Sequence, residues 1–373
     1  MASQKKILIV GGGIAGLTAA SLLQKNHTGE VHLIERQDAW QASGTGLYTP
    51  GNGVAALEAL ALDHDAKAKG NVIHHREIFD SQGNLLMKLD LAEVWDRPDP
   101  CLNIGRKALH EILVKQVKQD QFRLKTSIQA IQQQEEGVEV IFSDESKGKY
   151  DLVIGADGLY SQTRKLVLGD CQLNPISNQV CRFTTAMPKG ITAWTLFVSS
   201  KGQFLIIPMN KDRAYCYVNR KSKKDVPNAQ FMQDFVNFPA PVPEIIQTWK
   251  PDDAYWDDVE ELEPLSVFGK NRVVLIGDAA HGMPPFMAQG GSLALEDALV
   301  LANLLQNEED WSQLAERFTD LRKERIDWVY ARNRKRGKLA KLPFWIARLG
   351  LQKVGAKNWT TDYAPLRESP DFG

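Results

Sequence analysis

The chain has 373 residues with 45 basic and 46 acidic side chains and a net charge of −1. That length supports a large core and two domains, while the charge balance gives no global signal for nucleic acid. Cys101, Cys171, Cys181 and Cys216 show no C-x-x-C spacing, which argues against a metal knuckle or a dithiol redox centre and for buried thiols in a reducing compartment.

The start, MASQKK, leads directly into an apolar run, and no apolar stretch approaches the roughly 18 residues a spanning helix needs. The expectation is a cytoplasmic protein. The run Ile7 to Val10 ends in Gly11, Gly12, Gly13 and Gly16, and Leu17, Ala20, Leu22 and Leu23 then recur at helical spacing. This is a strand, a G-x-G-x-x-G turn and a helix. Gly11 permits the turn, Gly13 lets a pyrophosphate approach the backbone, and Gly16 lets the helix pack on the strand. The helix N-terminus offers free N–H groups and a positive dipole end. A second strand, 31–35, ends on Glu35, within the roughly 20-residue reach of a carboxylate that binds the ribose of an adenine dinucleotide.

A loop (37–53), a helix near 53–62 and a hairpin over 75–89 turning at Gln82-Gly83-Asn84 follow. Next come a helix from 106 to about 119, the alternating strand 137–142 and the buried strand 150–158. From about 173 to 267 the pattern becomes strands, among them AWTLFVSS, QFLIIP and AYCYVNR. NRVVLIGDAA (271–280) then resembles the first strand again. Interruption and return imply a discontinuous parallel-sheet domain with a mainly antiparallel insertion.

Two further loops stand at strand ends. In DLVIGADGLYSQTRK, Asp157 and Gly158 precede Arg164, and the local reading is an Asx turn capping a helix. In RVVLIGDAAHGMPPFMAQGGSLALEDA, Asp278 stands at the carboxyl end of a strand, where open α/β sheets bind ligands, and Gly290 and Gly291 open a long helix whose N-terminus favours negative charge.

GGGIAG (11–16) with Glu35-Arg36, GLYTPGNGVAAL (46–57), IGRKALHEIL (104–113), DLVIGADGLYSQTR (151–164) and the 272–298 stretch resemble, in order and spacing, the single-component FAD-dependent aromatic hydroxylases, closest to the urate, salicylate and quinolone hydroxylase-like members. The resemblance implies an α/β fold: a Rossmann-like FAD-binding domain (1–70, 101–172 and 268–310), a β substrate domain (71–100 and 173–267) and a C-terminal helical segment (311–373). It implies a monooxygenase in which NADPH or NADH reduces FAD, O2 adds to form a flavin 4a-hydroperoxide, and a small aromatic or heteroaromatic substrate is hydroxylated.

Carried onto this chain, Gly11, Gly13, Gly16 and Glu35 hold the ADP half of FAD and Arg106 meets the pyrophosphate or ribityl region. Asp157 belongs to a motif used for FAD and NAD(P)H, Asp278 binds the ribityl chain, and Gly290 and Gly291 lie under the pyrimidine. Ile14, Ala15, Arg36, Gly46, Leu47 and Ser292 lie in the same motifs and complete the cofactor set. Where many members have G-Q-G and then Asn, this chain has Ala288-Gln289-Gly290 and Ser292. His281 is a candidate proton shuttle, set against a loop-ordering role, and Pro285 a candidate wall beside the flavin. Arg182, Phe183, Trp194, Phe204 and Tyr217 face either the substrate or the sheet interior.

Halogenases share the architecture, but FLIIP (204–208) lacks the tryptophans of their W-x-W-x-I-P motif. Another FAD-dependent reductase and a non-catalytic protein of this fold are the remaining alternatives. The tail is helical, basic and aromatic, which suits either an acidic membrane surface or, preferred, packing across both domains with a solvated basic face. No metal is expected, and the sequence leaves oligomeric state open.

Overall fold

The computed structural model describes residues 5–26, 29–40, 45–220 and 227–370. Lys6–Val10 is the centre of a six-stranded sheet, paired in parallel with Glu30–Ile34 on one side and Leu152–Gly155 on the other. Val273–Leu275 joins beyond Leu152–Gly155, also parallel. The apolar runs that look alike in the sequence are therefore neighbours in one sheet, buried on both faces: helices Ile14–Asn26 and Gly290–Asn307 cover one, and a three-stranded antiparallel sheet over residues 128–150 covers most of the other. Ile14–Asn26 packs on this sheet beside the long helix Gly290–Asn307.

A seven-stranded sheet forms the second layer, built from Leu173–Ala186, Trp194–Val198, Gly202–Pro208, Arg213–Arg220 and Tyr255–Leu262, with the hairpin His75–Asp80 and Leu85–Asp90 at its edge. The hairpin's first strand runs parallel to Trp194–Val198, so a segment early in the chain completes a sheet made late. A small three-stranded sheet, in which Gly46–Thr49 pairs with Leu102–Gly105, touches the seven-stranded layer at Tyr215 and Ile207, and a second packs on the parallel sheet.

Period-two alternation sorts the large sheet into two faces. Trp194, Leu205, Ile207 and Tyr215 turn towards the parallel sheet and belong to its core, and half-buried Tyr217 packs with them. Phe183, Phe204, Cys216 and Val218 turn away into a separate core closed by Phe231, Phe235 and Val242. The expected loop over 37–53 contains the strand Gly46–Thr49, and the helix expected near 53–62 is two helices, Gly51–Ala59 and Asp63–Lys69. The helix from Arg106 stops at Val114.

Leu314–Ala340 lies against Gly290–Asn307 and the parallel sheet, and its Tyr330 hydroxyl donates to the carbonyls of Leu262 and Gly282 at 3.2 and 3.3 Å. Phe344–Tyr363 packs on the hairpin strand Leu85–Asp90. The tail thus touches both layers. Among the described residues no helix is long and apolar enough to cross a membrane.

Candidate active site

The glycine turn is shaped by contacts that leave no room for a side chain. Gly11 has φ +107°, and a Cβ there would stand 2.5 Å from the Ala156 carbonyl oxygen. A Cβ on Gly16 would stand 2.0 Å from the Gly11 carbonyl oxygen, so the helix sits as close to the strand as backbone allows. Gly13 is different: nothing lies within 4 Å of where its Cβ would be. The turn is closed behind and open in front, as a phosphate cradle requires. Ile14 and Ala15 open the helix, Ile14 half-buried and Ala15 buried.

Glu35 receives the Gly12 N–H at 2.7 Å and the Gln37 N–H at 3.0 Å, which aims its carboxylate along the turn. Arg36 is exposed. Trp40 lies against Gly12, its ring 2.5 Å from where a Cβ would be, and packs edge-on to Phe122. Neither Trp40 nor the need for glycine at 12 was legible in the motif.

The second loop meets the first through Gly277, whose missing Cβ would lie 2.9 Å from the Ala15 methyl. Directly after it, Asp278 is exposed, and its carboxylate has no hydrogen bond or ion pair with a described residue. Gly290 faces it: a Cβ there would be 3.6 Å from Asp278 Oδ1. The helix that starts at Gly290 lacks a side-chain cap. Its N-cap residue, Gln289, instead exchanges hydrogen bonds with Asn52 at 2.8 and 3.0 Å. Leu47 packs on Gly291, 3.1 Å from its would-be Cβ, while Gly46 lies on the Tyr215 ring, which a Cβ would approach to 2.6 Å. Arg106 starts the helix after Gly105, with its N–H on the Thr45 carbonyl at 3.0 Å.

These residues fit FAD. The turn is open at Gly13, the Asp278 acceptor is unspent, the helix N-terminus at Gly290 and Gly291 is uncapped, and the buried hydroxyls of Thr45, Thr49 and Ser292 have no partner. Buried polar groups without partners are uncommon in native proteins, and three of them on the elements beside Asp278 mark where a polar ligand belongs.

Asp157 is consumed locally: it accepts from Ser161 Oγ at 2.6 Å and from the N–H and Oγ1 of Thr163 at 2.9 and 3.0 Å. It caps its own helix, and Arg164 ties that helix to the Asp278 loop through the Ala279 carbonyl at 2.9 Å. These bonds are the Asx-turn cap read from the sequence, and they brace the segment that carries Asp278. His281, the candidate proton shuttle, is fully buried and faces away from solvent, 2.6 Å from Asp297 Oδ2.

Asp297 also accepts the Gly277 N–H at 2.8 Å and Arg322 Nε at 2.8 Å. Burial alone pushes its pKa up, but His281 and Arg322 outweigh that and hold it at about 2. Glu296 continues the network, gathering Arg322, Arg325 and Asn52. The adjacent acidic pair reads as an ordinary helix face in the sequence, and only the fold reveals it as the anchor of the loop.

Pro285 is exposed at the start of the short turn Pro285–Met287, in the segment between Asp278 and Gly290. The C-terminal helices fix that turn: Arg336 donates to the Phe286 carbonyl at 3.0 Å, Asn333 Oδ1 accepts from the Met287 N–H at 3.0 Å, and the Tyr363 hydroxyl donates to the Met287 carbonyl at 3.0 Å. Of the inserted-domain candidates, Trp194 and Tyr217 lie on the inner face, with Arg182 5.7 Å over the Tyr217 ring. Phe183 and Phe204 lie in the outer core, which is the sheet-packing alternative read for them.

The profile of the family described as "FAD binding domain" matches residues 4–323. The chain is 27% identical to the aurachin C monooxygenase/isomerase of Stigmatella aurantiaca over 86% of each protein. It is 26% identical to an FAD-dependent urate hydroxylase of Klebsiella oxytoca over 89% of each. The fold superposes on Klebsiella pneumoniae HpxO complexed with FAD and uric acid with a TM-score of 0.91, at 22% identity and covering 100% of this chain and 99% of that one.

Proposed function

Because the chain belongs to the FAD-binding-domain family, we propose a specific division of labour in which the Gly11–Gly16 turn and Glu35 hold the ADP half of FAD and the Asp278–Ser292 segment holds its flavin end. The protein is an FAD-dependent monooxygenase that uses NAD(P)H. Its substrate is a small aromatic or heteroaromatic compound. The observation that carries the assignment is the contact of Gly277 with Ala15, which sets the unspent Asp278 carboxylate beside the open phosphate turn. The domain boundaries inferred above, with the hairpin in the substrate domain, belong to the same proposal.

Bound there, FAD supplies hydride acceptance and oxygen activation, chemistry that no side chain offers. The chain's own residues bind, orient and exclude water. Asp278 would accept from ribityl hydroxyls, and the N–H groups at Gly290 and Gly291 would present positive potential to the flavin end. Arg106 would meet the pyrophosphate or ribityl region. Tyr215, Ile207 and Leu205 on the inner face form an apolar wall that keeps water from the reacting atoms.

The test is direct. Purified protein takes up FAD, and acid precipitation releases all of it, because no attachment motif is present. With NAD(P)H and no aromatic compound it forms hydrogen peroxide slowly, and an aromatic substrate accelerates consumption and lowers the peroxide yield. Protein that cannot take up added FAD overturns the reading.

A further inference from the structure

The inner face of the seven-stranded sheet carries a cation that the chain does not neutralise. Arg76 is 5% exposed and lies in register beside Trp194. Its guanidinium carbon is 3.3 Å from the Trp194 ring centre and 3.5 Å from that of Trp359. Arg336 stands 3.6 Å from the same Trp359 ring, and two guanidinium groups this close to one indole must occupy opposite faces. The order is therefore Trp194, Arg76, Trp359, Arg336.

The two arginines differ in what their N–H groups do. Arg336 spends its donors on the Phe286 carbonyl, the Tyr363 hydroxyl and Asp362. Arg76 makes no hydrogen bond or ion pair with a described residue, and its enclosed Nε has no partner. Around it are the hydroxyls of Tyr48 and Tyr363, the Cys101 thiol and the second cation, and burial draws its pKa down to about 10. Stacking on two indoles offsets part of the cost of burying the charge, yet it leaves the in-plane donors unused. A guanidinium whose faces are covered and whose edge is free is complementary to a planar oxyanion.

Its position is that of a substrate contact. Tyr48 follows Leu47, which packs on Gly291, and Phe286 follows Pro285. Tyr48 beside Arg76 thus belongs to the strand assigned above to the flavin end, and Tyr363, also beside it, donates to the Met287 carbonyl of the Pro285 turn. We propose that Arg76 anchors the substrate through a planar oxyanion, so that the enzyme acts on aromatic acids or ionised hydroxy-heteroaromatics. This rests on the monooxygenase reading above.

The experiment uses the full-length FAD-loaded protein and needs no turnover. Benzoate-type carboxylates are titrated against their amides, and acidic hydroxy-heteroaromatics against their methylated forms, reading tryptophan fluorescence and the visible flavin spectrum. A carboxylate preference alone identifies the acid source, and a preference for ionised hydroxyl forms alone identifies the other. In the native protein the anionic member of the preferred pair binds roughly 10- to 100-fold more tightly. Arg76→Gln brings the pair to within about threefold, and Arg76→Lys, which keeps the charge but loses the fork, falls between. Where turnover is available, KM for the anion rises more than kcat falls in both variants. A purely structural role in docking Trp359 weakens both members of each pair equally. That result overturns the proposal, as does native protein without any preference for anions. If Arg76→Gln does not fold, the Arg76→Lys variant and the native preference still decide. FAD uptake and NAD(P)H-driven peroxide formation by the native protein report separately on the monooxygenase reading.

Discussion

Asp157 and Asp278 look alike in the sequence, each a carboxylate just past a buried strand, yet the neighbours of each decide its use. Asp157 is followed by Ser161 and Thr163, whose hydroxyls and backbone claim both its oxygens. Asp278 is followed by Ala279 and Ala280, which offer none, and its carboxylate remains available. Asp278→Ala is accordingly expected to weaken FAD binding by about 1.5–3 kcal/mol, the worth of a hydrogen bond to a charged group, with the fold intact. Isothermal titration of the apoprotein with FAD, next to a circular dichroism melt, checks it. An unchanged FAD affinity removes Asp278 from the site.

The fate of His281 shows the same rule for buried charge. Asp297 is held at about 2 against an ordinary value of 3.8. A depressed folded-state pKa contributes stability that is complete above the unfolded value and fades as pH falls through the folded one. At about 1.4 kcal/mol per pH unit, the stabilisation is about 2 kcal/mol, present above pH 4 and lost towards pH 2. Urea unfolding of the native protein and of Asp297→Asn from pH 6 down to pH 2.5 measures this. The stability gap between them is expected to narrow below pH 4, and a gap constant across that range contradicts the pairing.

At the scale of elements, the glycine turn separates folding from binding within six residues. Gly16→Ala places a methyl on the Gly11 carbonyl oxygen and is expected to destabilise the apoprotein by several kcal/mol, as overpacking does. Gly13→Ala meets no protein atom, so the apoprotein should melt as before while FAD affinity falls at least tenfold, because the methyl takes the space a phosphate needs. Melting curves with and without FAD distinguish the two variants, and equal loss of stability in both contradicts the assignment.

The strand–turn–helix unit was legible because its glycines are local constraints: the close approaches they allow involve residues a few positions away or one neighbouring strand. Sheet faces were legible only in part. Arg182, Phe183, Trp194, Phe204 and Tyr217 are equally plausible as substrate contacts in the sequence, since alternation gives two faces without saying which one meets the cofactor. Phe204 and Leu205 are adjacent and face opposite cores. The strand Leu173–Ala186 lay inside the stretch read as strands but was given no bounds of its own, because its polar residues and proline break the apolar pattern, although it pairs along most of its length. The set Asn52, Gln289, Glu296 and Arg322 draws on segments more than two hundred residues apart, and no local period announces it.

For the whole molecule, the discontinuous chain is the functional device. Segments 6–34, 152–155 and 273–275 build the central strands of the parallel sheet, and the excursions between them build the seven-stranded sheet. The tail completes the arrangement by holding the Pro285 turn through Asn333, Arg336 and Tyr363. This gives Arg336 and Tyr363 of its basic and aromatic side chains a role inside the protein, as clamps on a loop that has little regular structure of its own.

The measurement that bears most directly on this account is the origin of the oxygen atom in the product. FAD-loaded protein is given NAD(P)H and a panel of aromatic and heteroaromatic compounds under isotopically heavy O2, and products are weighed by mass spectrometry. The account predicts that a compound which accelerates NAD(P)H consumption gains one heavy oxygen atom. Oxygen arriving from water instead, or accelerated consumption that returns every compound unchanged with all the oxygen recovered as peroxide, would contradict it.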